Sequence, residues 1–179
     1  GKVTGESVIK PEYTGDGTLV LEPTYKHIIL LDLDEWGNSI VLDDGLFLAC
    51  ESTLKQKAVR RKTFSSAFAG GEGFFNLGLK GSGVVCIESD CSREELVEIT
   101  LEDDVVKIDG NLAIAWSGSL DFTVERAGKS LLGSAASGEG LVNVYRGTGK
   151  VLLAPVGNQA MKPQQVIEKE PVIVGDDDE

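Results

Sequence analysis

A three-fold repeat is the sequence feature that most constrains the fold of this chain of 179 residues. Each copy consists of Gly-Glu, seven or eight further residues and Gly-x-Gly, followed by an apolar run. The copies begin at Gly5, Gly71 and Gly138, so the spacings in sequence number are 71 − 5 = 66 and 138 − 71 = 67. A nearly constant period of this length indicates that one structural unit is repeated along the chain.

The apolar run after each Gly-x-Gly predicts a β-strand. The three runs are residues 19–21, 85–87 and 151–153, and each is short and rich in branched side chains. Such a run entered through glycines is typical of a strand that follows a turn or a bulge. We therefore predict structural turns at the nine glycines of the pattern, which are Gly5, Gly15, Gly17, Gly71, Gly81, Gly83, Gly138, Gly147 and Gly149.

The second halves of the first two copies also match. Residues 31–33 and 97–99 read apolar, acidic, apolar, which predicts strands with one wet face. The dipeptide Asp44-Gly45 lies between apolar runs and predicts a hairpin turn. The runs 46–50 and 112–116 are continuously apolar, so we expect two central, buried strands there. The whole pattern predicts an all-β protein, a triplicated β-sandwich with a pseudo-three-fold internal repeat.

The predicted domain organisation is a single repeat-built β domain over residues 1–156. The copies span about 5–70, 71–137 and a partial 138–156, so the third copy lacks its second half. Strands that precede Gly1 in the natural protein would be one source of the missing half. A C-terminal extension covers 157–179; residues 172–174 would add one edge strand, and the acidic end is expected to be disordered.

Charge narrows the classes of partner. The formal net charge is −12, which excludes nucleic acid as an expected partner because phosphate binding needs a concentrated positive face. One dense basic cluster is present, which we interpret as a solvated loop between strands, with an anionic partner surface as the alternative. Its members are Lys55, Lys57, Arg60, Arg61 and Lys62.

The three cysteines and the hydropathy pattern bear on location. Cys50, Cys86 and Cys91 form no dense pattern, which favours a reducing compartment. No apolar stretch has the length of a transmembrane helix, so we expect no transmembrane segment. The predicted location is the cytoplasm, or the mitochondrion if the protein is eukaryotic.

No catalytic constellation is predicted, and we expect no enzymatic activity. The single histidine, His27, has no Gly-x-Ser-x-Gly nucleophile elbow to serve. Residues 146–150 resemble the end of a phosphate-binding loop, but Val144 and Val151 stand where glycine and Ser or Thr are needed. Asp32-x-Asp34 begins like a calcium loop, but Trp36 then occupies a ligand position.

The repeated acids are the weak candidates for a metal site. Glu6, Glu72 and Glu139 are equivalent in the three copies, and around a pseudo-three-fold axis they would form a ring. Three converging carboxylates repel one another unless a cation lies between them. The alternative, which we favour, is that each glutamate accepts backbone N–H bonds within its own turn. We expect no bound metal and no cofactor.

Three longer segments resemble the altered inheritance of mitochondria 24 family over residues 5–156. They are GESVIKPEYTGDG, then GLFLAC with FAGGEGFF, then GNLAIAW with SGEGLVNVYRGTGKVLL. The resemblance implies short antiparallel strands in a fold similar to the tryptophan RNA-binding attenuation protein, here triplicated. It implies no established enzymatic activity. Mitochondrial members are linked to inner-membrane organisation, and bacterial members are cytoplasmic. The fold relative's RNA binding is not expected in so acidic a chain.

The expected function is that of a non-enzymatic β scaffold that acts through self-association or through binding of a protein partner. Strand edges left open by the incomplete third copy invite pairing with another chain. The alternative is a small-molecule or metal-binding module. In that alternative Trp36 and Trp116 stack on a ligand, whereas in a scaffold each tryptophan is a core or rim residue.

Overall fold

The structure, a computed structural model, describes residues 11–22, 25–60, 75–109, 112–126 and 141–155. It confirms the all-β class, since every strand pairing in these ranges is antiparallel. The strands are β1 His27–Asp32, β2 Ser39–Leu42, β3 Phe47–Cys50, β4 Lys55–Arg60, β5 Phe75–Lys80, β6 Val84–Ser89, β7 Val97–Asp109, β8 Ala113–Ser117, β9 Asp121–Arg126 and β10 Leu141–Leu153. Within the described ranges one 3-10 turn, Leu33–Trp36, follows β1.

The strands form two sheets. The smaller has the order β1-β6-β3, and the larger has the order β4-β5-β2-β8-β10-β7, with β9 paired to the first half of β10. The ladder between β10 and β7 is interrupted between Gly147 and Gly149. β10 therefore has two different neighbours on its other side: its first half pairs with β9, and its second half pairs with β8.

Two hydrophobic cores lie on the opposite faces of β2 and β8. The first core contains Leu42 and Ala115 with the inward side chains of the smaller sheet. The second core contains Val41 and Trp116 with the side chains of β7 and β10. All five residues of β8 are buried, as predicted for residues 112–116. Burial of each large aliphatic side chain contributes about 1.5–3 kcal/mol, so this doubly covered layer is the most stabilised part of the fold.

Two β units share one pairing register at the sequence period of 66. In the first unit, β1–β6, Cys50 lies opposite Val85. In the second unit, β7–β10, Trp116 lies opposite Val151, and 116 − 50 and 151 − 85 are both 66. A register shift falls within β3 and within the β8 ladder at the corresponding place. The sequence period is thus also a period of strand pairing between these two units.

A side chain supports the Gly-x-Gly strand entry in each of these units. The Val84 N–H donates to Glu51 Oε2 (2.7 Å). The Lys150 N–H donates to Ser117 Oγ (2.9 Å), and both of these residues stand one period after their counterparts Val84 and Glu51. Each bond satisfies a backbone donor immediately after the glycines, where the chain enters the strand.

Six of the nine glycines of the pattern lie in the described ranges, and all six have positive φ: Gly15 130°, Gly17 152°, Gly81 136°, Gly83 143°, Gly147 115° and Gly149 159°. At two of these positions a side chain would also collide with a neighbouring side chain. A Cβ on Gly83 would lie 2.6 Å from Glu51 Oε2, and one on Gly149 would lie 2.7 Å from Ser117 Cβ. The remaining three, Gly5, Gly71 and Gly138, lie outside the described residues.

Two sequence expectations about strand pairing are wrong. Gly45 does form a turn with φ of 77°, but β2 and β3, which flank it, belong to different sheets and form no hairpin. The chain changes sheet here because β2 is already paired on both sides, with β5 and β8. β3 is accordingly a half-buried edge strand of the smaller sheet, not the central buried strand expected for residues 46–50.

Two further expectations differ from the structure. Residues 19–21 form no strand and are exposed, although their counterparts at 85–87 and 151–153 lie in β6 and β10. The basic cluster is not a loop, because Lys55–Arg60 forms β4, which pairs with β5. Its alternating residues Lys55, Lys57 and Val59 lie on one face of that strand. Arg61 and Lys62 lie outside the described residues.

We predict that Gly83→Ala destabilises the protein far more than Gly17→Ala. Both glycines have strongly positive φ, but a Cβ on Gly17 meets no atom within 4 Å. At Gly83 the strain and the collision with Glu51 together should cost about 2 kcal/mol in free energy of unfolding. At Gly17 the change should stay within about 0.5 kcal/mol, because the segment can relax. Urea unfolding of the two variants measures both values, and equal losses would contradict the packing described for Gly83.

Candidate functional site

The most unusual surface lies on the smaller sheet, on the side that faces away from the first core. We call it the outer face; its apolar residues are Ile28, Leu30, Ala49 and Cys86, and Glu88 lies opposite Ile28 on the same face. Leu30 lies opposite Cys86 in one ladder and Cys86 lies opposite Ala49 in the next, so the three form a row across the sheet. Ile28 and Leu30 are 52% and 67% exposed. A contiguous apolar row of this kind marks an interaction surface more often than scattered apolar residues do.

The corresponding row of the second unit is completely buried. Ala49 and Cys86 correspond, one period later, to Ala115 and Leu152, which are also paired with each other. Ala115 and Leu152 are both 0% exposed and belong to the first core. The same positions are therefore fully buried in the second unit and partly exposed in the first.

A second exposed apolar segment lies near the N-terminus. Leu19, Val20 and Leu21 are 55%, 85% and 42% exposed and follow the Gly15-x-Gly17 turn. One period later stand Val85, Cys86 and Ile87, of which Val85 and Ile87 are buried in the first core. In that core Val85 and Ile87 share a cluster with Ala115 and Leu152.

Neither of the two thiols in the smaller sheet, Cys86 on the outer face and Cys50 on the opposite face, is an activated nucleophile. Burial raises the pKa of the Cys86 thiol, and the nearby Glu88 carboxylate raises it further. Burial likewise raises the pKa of Cys50, with a smaller contribution from Glu51 in the same direction and an opposing one from the Gln56 side chain. A raised pKa lowers the thiolate fraction at neutral pH, so this geometry suits packing and not covalent catalysis.

Several ion pairs of the second unit lie at its surface. Glu125 binds Arg146 and Lys107 (3.0 Å for the lysine), and these two cations lower the pKa of its carboxyl group. Glu98 binds Lys150 (2.8 Å) and lies 3.6 Å from Arg93. Pairs this exposed contribute little to stability and form no cleft for catalysis.

A cavity of about 380 Å³ lies beside the second core. Its apolar wall includes Trp116, which stacks on Phe122 with ring centroids 5.2 Å apart. Its polar wall includes Lys57, Asn76 and Lys80 from β4 and β5. The volume lies within the usual range of small-molecule pockets, so the cavity is a second candidate site.

The motif-like residues singled out in the sequence have structural roles. Asp32 caps the 3-10 turn by accepting a hydrogen bond from the Asp34 N–H (3.0 Å), and Asp34 accepts one from Ser82 Oγ (3.1 Å). Residues 147–150 lie within β10, where Thr148 Oγ1 accepts from the Asp103 N–H (3.0 Å). His27 is the exposed first residue of β1.

The two tryptophans and the metal candidates are placed differently. Trp36 and Trp116 are both buried, and only Trp116 lines the cavity. In the part of the chain that the structure describes, no group of three or more His, Cys, Asp or Glu side chains is placed to hold a metal ion. Glu6, Glu72 and Glu139 lie outside that part. Within it there is also no helix with the length and hydropathy to cross a membrane.

Comparison with known proteins identifies the family. The model of a family described as mitochondrial biogenesis AIM24 matches residues 1–156. The chain belongs to the AIM24 family. The resemblance found from the glycine-rich segments is thereby confirmed.

Two bacterial relatives extend the comparison. An uncharacterised protein of Streptococcus pyogenes serotype M6 is 32% identical over 154 residues, covering 84% of this chain and 60% of the relative. The crystal structure of a Streptococcus pyogenes protein is similar with a TM-score of 0.55 and 30% identity, covering 73% of this chain and 55% of that one. The chain thus spans less than two thirds of the length of either relative.

The outer face was missed in the sequence, although a signal was present. Residues 28–31 are four consecutive apolar side chains, so both faces of β1 are apolar. An antiparallel strand with one wet face should alternate with polar residues instead. In β1 the burial alternates but the residue type does not: Ile29 and Leu31 are buried, whereas Ile28 and Leu30 are exposed although they are apolar.

We predict that Glu88→Gln speeds alkylation of Cys86 at pH 8. Removing the carboxylate takes away the smaller of the two causes that raise the pKa of Cys86, so its thiolate fraction rises. In the wild type and in the variant, the alkylation rate of Cys86 should continue to increase as the pH rises above about 8.5, the ordinary pKa of a thiol. Iodoacetamide labelling with peptide mapping measures the rate at Cys86, and Glu102→Gln in the second unit is the matched control. An unchanged or slower rate in Glu88→Gln would contradict this electrostatic assignment.

Proposed function

We propose that this AIM24-family protein is a non-enzymatic β scaffold that acts by self-association through the outer face. The observation that carries the proposal is the contrast between equivalent rows. Ala115 and Leu152 are buried in a core, whereas the row containing Ala49 and Cys86 ends in the exposed Leu30. An apolar row that is covered wherever a neighbouring unit is present has the shape and chemistry to accept another such unit.

The occupant we propose is the N-terminal apolar segment, residues 19–21, of a second copy of the chain. Leu19 and Leu21 correspond to Val85 and Ile87, which share the first core with Ala115 and Leu152. The exposed segment therefore matches in position the side chains that share a core with the equivalent row of the second unit. Self-association is the specific form of the more general expectation of a protein partner.

Architecture supports the same proposal. We infer a fold built from three copies of one unit, similar to the tryptophan RNA-binding attenuation protein. The support is the register shared by two units at the period of 66 and the positive φ of the Gly-x-Gly glycines in all three copies. The N-terminal segment corresponds to the last strand of each described unit, so in the third unit it would supply the last strand. The proposed location is the cytoplasm, which suits three free thiols.

The expected affinity is modest and depends on salt. Burial of a leucine contributes about 1.5–3 kcal/mol, so a few such side chains together contribute less than about 10 kcal/mol. Association costs several kcal/mol of translational and rotational freedom, so a dissociation constant of roughly 0.1–1 mM is expected. Each copy carries a net charge of −12, so two copies repel each other. Raising the salt concentration screens this repulsion and should tighten the association.

We predict that Leu30→Asp weakens self-association at least tenfold, which corresponds to about 1.4 kcal/mol. A carboxylate in the middle of the outer face would have to be buried unpaired in the complex. Sedimentation velocity over a range of protein concentrations measures the constant. Val97→Asp is the matched control, because Val97 is also exposed but lies on β7, away from the outer face.

Three outcomes would overturn the proposal. The wild-type protein would sediment as a monomer at every concentration, or Val97→Asp would weaken association as much as Leu30→Asp. A double variant, Leu19→Asp with Leu21→Asp, would associate like the wild type. The comparison with Val97→Asp separates the outer face from a general effect of added negative charge, and the double variant tests the occupant.

The cavity favours a second candidate function, the binding of a small molecule. Trp116 and Phe122 offer an aromatic wall. Among the lining side chains the two cations, Lys57 and Lys80, outnumber the one carboxylate, Asp121, so the expected ligand is a small amphipathic anion. Native mass spectrometry of the purified protein should then show a bound mass that Trp116→Ala loses. A spectrum of the bare chain alone would count against this function.

The metal-binding alternative, based on Glu6, Glu72 and Glu139, has its own test. A native mass spectrum without a bound cation, together with a melting temperature unaffected by EDTA, would rule it out.

A further inference from the structure

One edge of β3 is open where the corresponding edge of its counterpart is paired. Within the described ranges β3 pairs only with β6. β8, its counterpart in the second unit, pairs with β10 on one side and with β2 on the other. The edge of β3 that matches the β2 side of β8 therefore has no strand beside it in these ranges.

The orientation of the β3 backbone identifies the groups at this edge. The Glu51 N–H donates to the Val84 carbonyl (3.1 Å), so residue 51 directs its backbone groups toward β6. Neighbouring residues in a strand direct their N–H and C=O to opposite sides, so Cys50 directs its own toward the open edge. Its counterpart Trp116 lies opposite Val41 of β2. The strand that belongs beside β3 is therefore a copy of β2.

The repeat period locates this copy in the sequence. In a ring of three units the unit before the first is the third, so its β2-like strand stands two periods of 66 after β2. Two periods after Ile40, Val41 and Leu42 stand Val172, Ile173 and Val174. These residues are the longest apolar run in the C-terminal segment 156–179, which lies outside the described part of the chain.

We propose that residues 172–174 pair antiparallel with the open edge of β3, with Ile173 opposite Cys50 and Val174 opposite Ala49. Applying the β2–β8 register to β3 fixes this alignment without adjustment. The pairing would satisfy the Cys50 N–H and C=O. It would also place Val174 beside Ala49 and Val172 beside Glu51 on the face that carries Ala49, with Ile173 beside Cys50 on the opposite face.

The length of the chain permits this pairing. Residue 155 is the last described residue after β10, so the segment 156–171 forms the connection to residue 172. Fully extended, this connection spans about 55 Å, more than the width of about 40 Å expected of a compact domain of this size. The connection can therefore reach the β3 edge from any exit point.

This inference does not depend on the proposed self-association. It concerns the edge of β3, whereas self-association uses the outer face of the same sheet. Either can hold without the other, and their tests use different readouts.

The direct test is a disulfide between Ala49→Cys and Val174→Cys, with Cys50, Cys86 and Cys91 replaced by alanine. In the β2–β8 ladder the equivalent pair, Leu42 and Ala115, lies between the bonds Gly118 N–H to Ser39 O and Asp43 N–H to Ile114 O (both 2.9 Å). It is thus a non-hydrogen-bonded pair, whose Cα atoms lie about 4.5 Å apart, within disulfide range. The control pairs Ala49→Cys with Val172→Cys, a diagonal neighbour about 7–8 Å away and out of range.

Mild oxidation should give an intramolecular disulfide in the 49/174 variant, seen as a monomer of altered mobility and as a cross-linked peptide by mass spectrometry. The 49/172 control should remain largely reduced. A covalent dimer would mean that residue 174 pairs with a second copy, and equal oxidation of both variants would mean that no register is fixed. Either result, or no disulfide at all, overturns the proposal.

A second measurement avoids cysteine substitution. We expect amide exchange of Cys50, followed by NMR, to be slow in the unaltered chain and at least tenfold faster in Ile173→Pro. Proline removes the N–H that would donate to the Cys50 C=O, which breaks the pairing and frees the Cys50 N–H. Asp177→Pro, beyond the paired residues, should leave the rate unchanged. Equally fast exchange of Cys50 in the unaltered chain and in Ile173→Pro would also overturn the pairing.

Discussion

The pairing of β2 with β8 is the interaction on which the rest of the structure depends. It joins two units into one sheet, with Val41 opposite Trp116. Because the joined layer is covered on both faces, Leu42 and Ala115 can belong to the first core while Val41 and Trp116 belong to the second. Without this ladder each unit would present an open strand edge and an apolar face to water. The repeat period is thus the distance in sequence between strands that occupy equivalent positions in the two units.

The two units are equivalent in register but not in what surrounds them. β8 is paired on both edges and buried on both faces, whereas β3, within the described ranges, is paired on one edge and half-buried. The row of Ala115 and Leu152 is fully buried, whereas Ala49 and Cys86 are partly exposed and their row ends in the exposed Leu30. Both proposals follow from this asymmetry. Each names a segment that would cover or pair with the first unit in the way that the first unit covers and pairs with the second.

Local sequence predicted the strands better than their partners. Gly81, Gly83, Gly147 and Gly149 adopt positive φ directly before apolar strands, which a turn residue encodes by itself. The Asp44-Gly45 turn was recognised, but its two strands enter different sheets, since pairing is decided by residues far apart in the chain. Residues 19–21 carry the composition of a strand and form none, because a strand also needs a neighbour. The candidate site was missed for the same reason: four apolar residues in β1 indicated two covered faces, but nothing local indicated what covers the second.

The central claim is that the outer face is an unfilled copy of an internal interface, and the most direct measurement of it is the alkylation rate of Cys86 as a function of protein concentration. Cys86 lies in the middle of the outer face, so its thiol reports directly on whether that face is covered. The account predicts that the rate falls as the protein concentration approaches the millimolar range, while the rate at Cys50 changes less. A Cys86 rate that is independent of concentration, measured while sedimentation shows association, would contradict it.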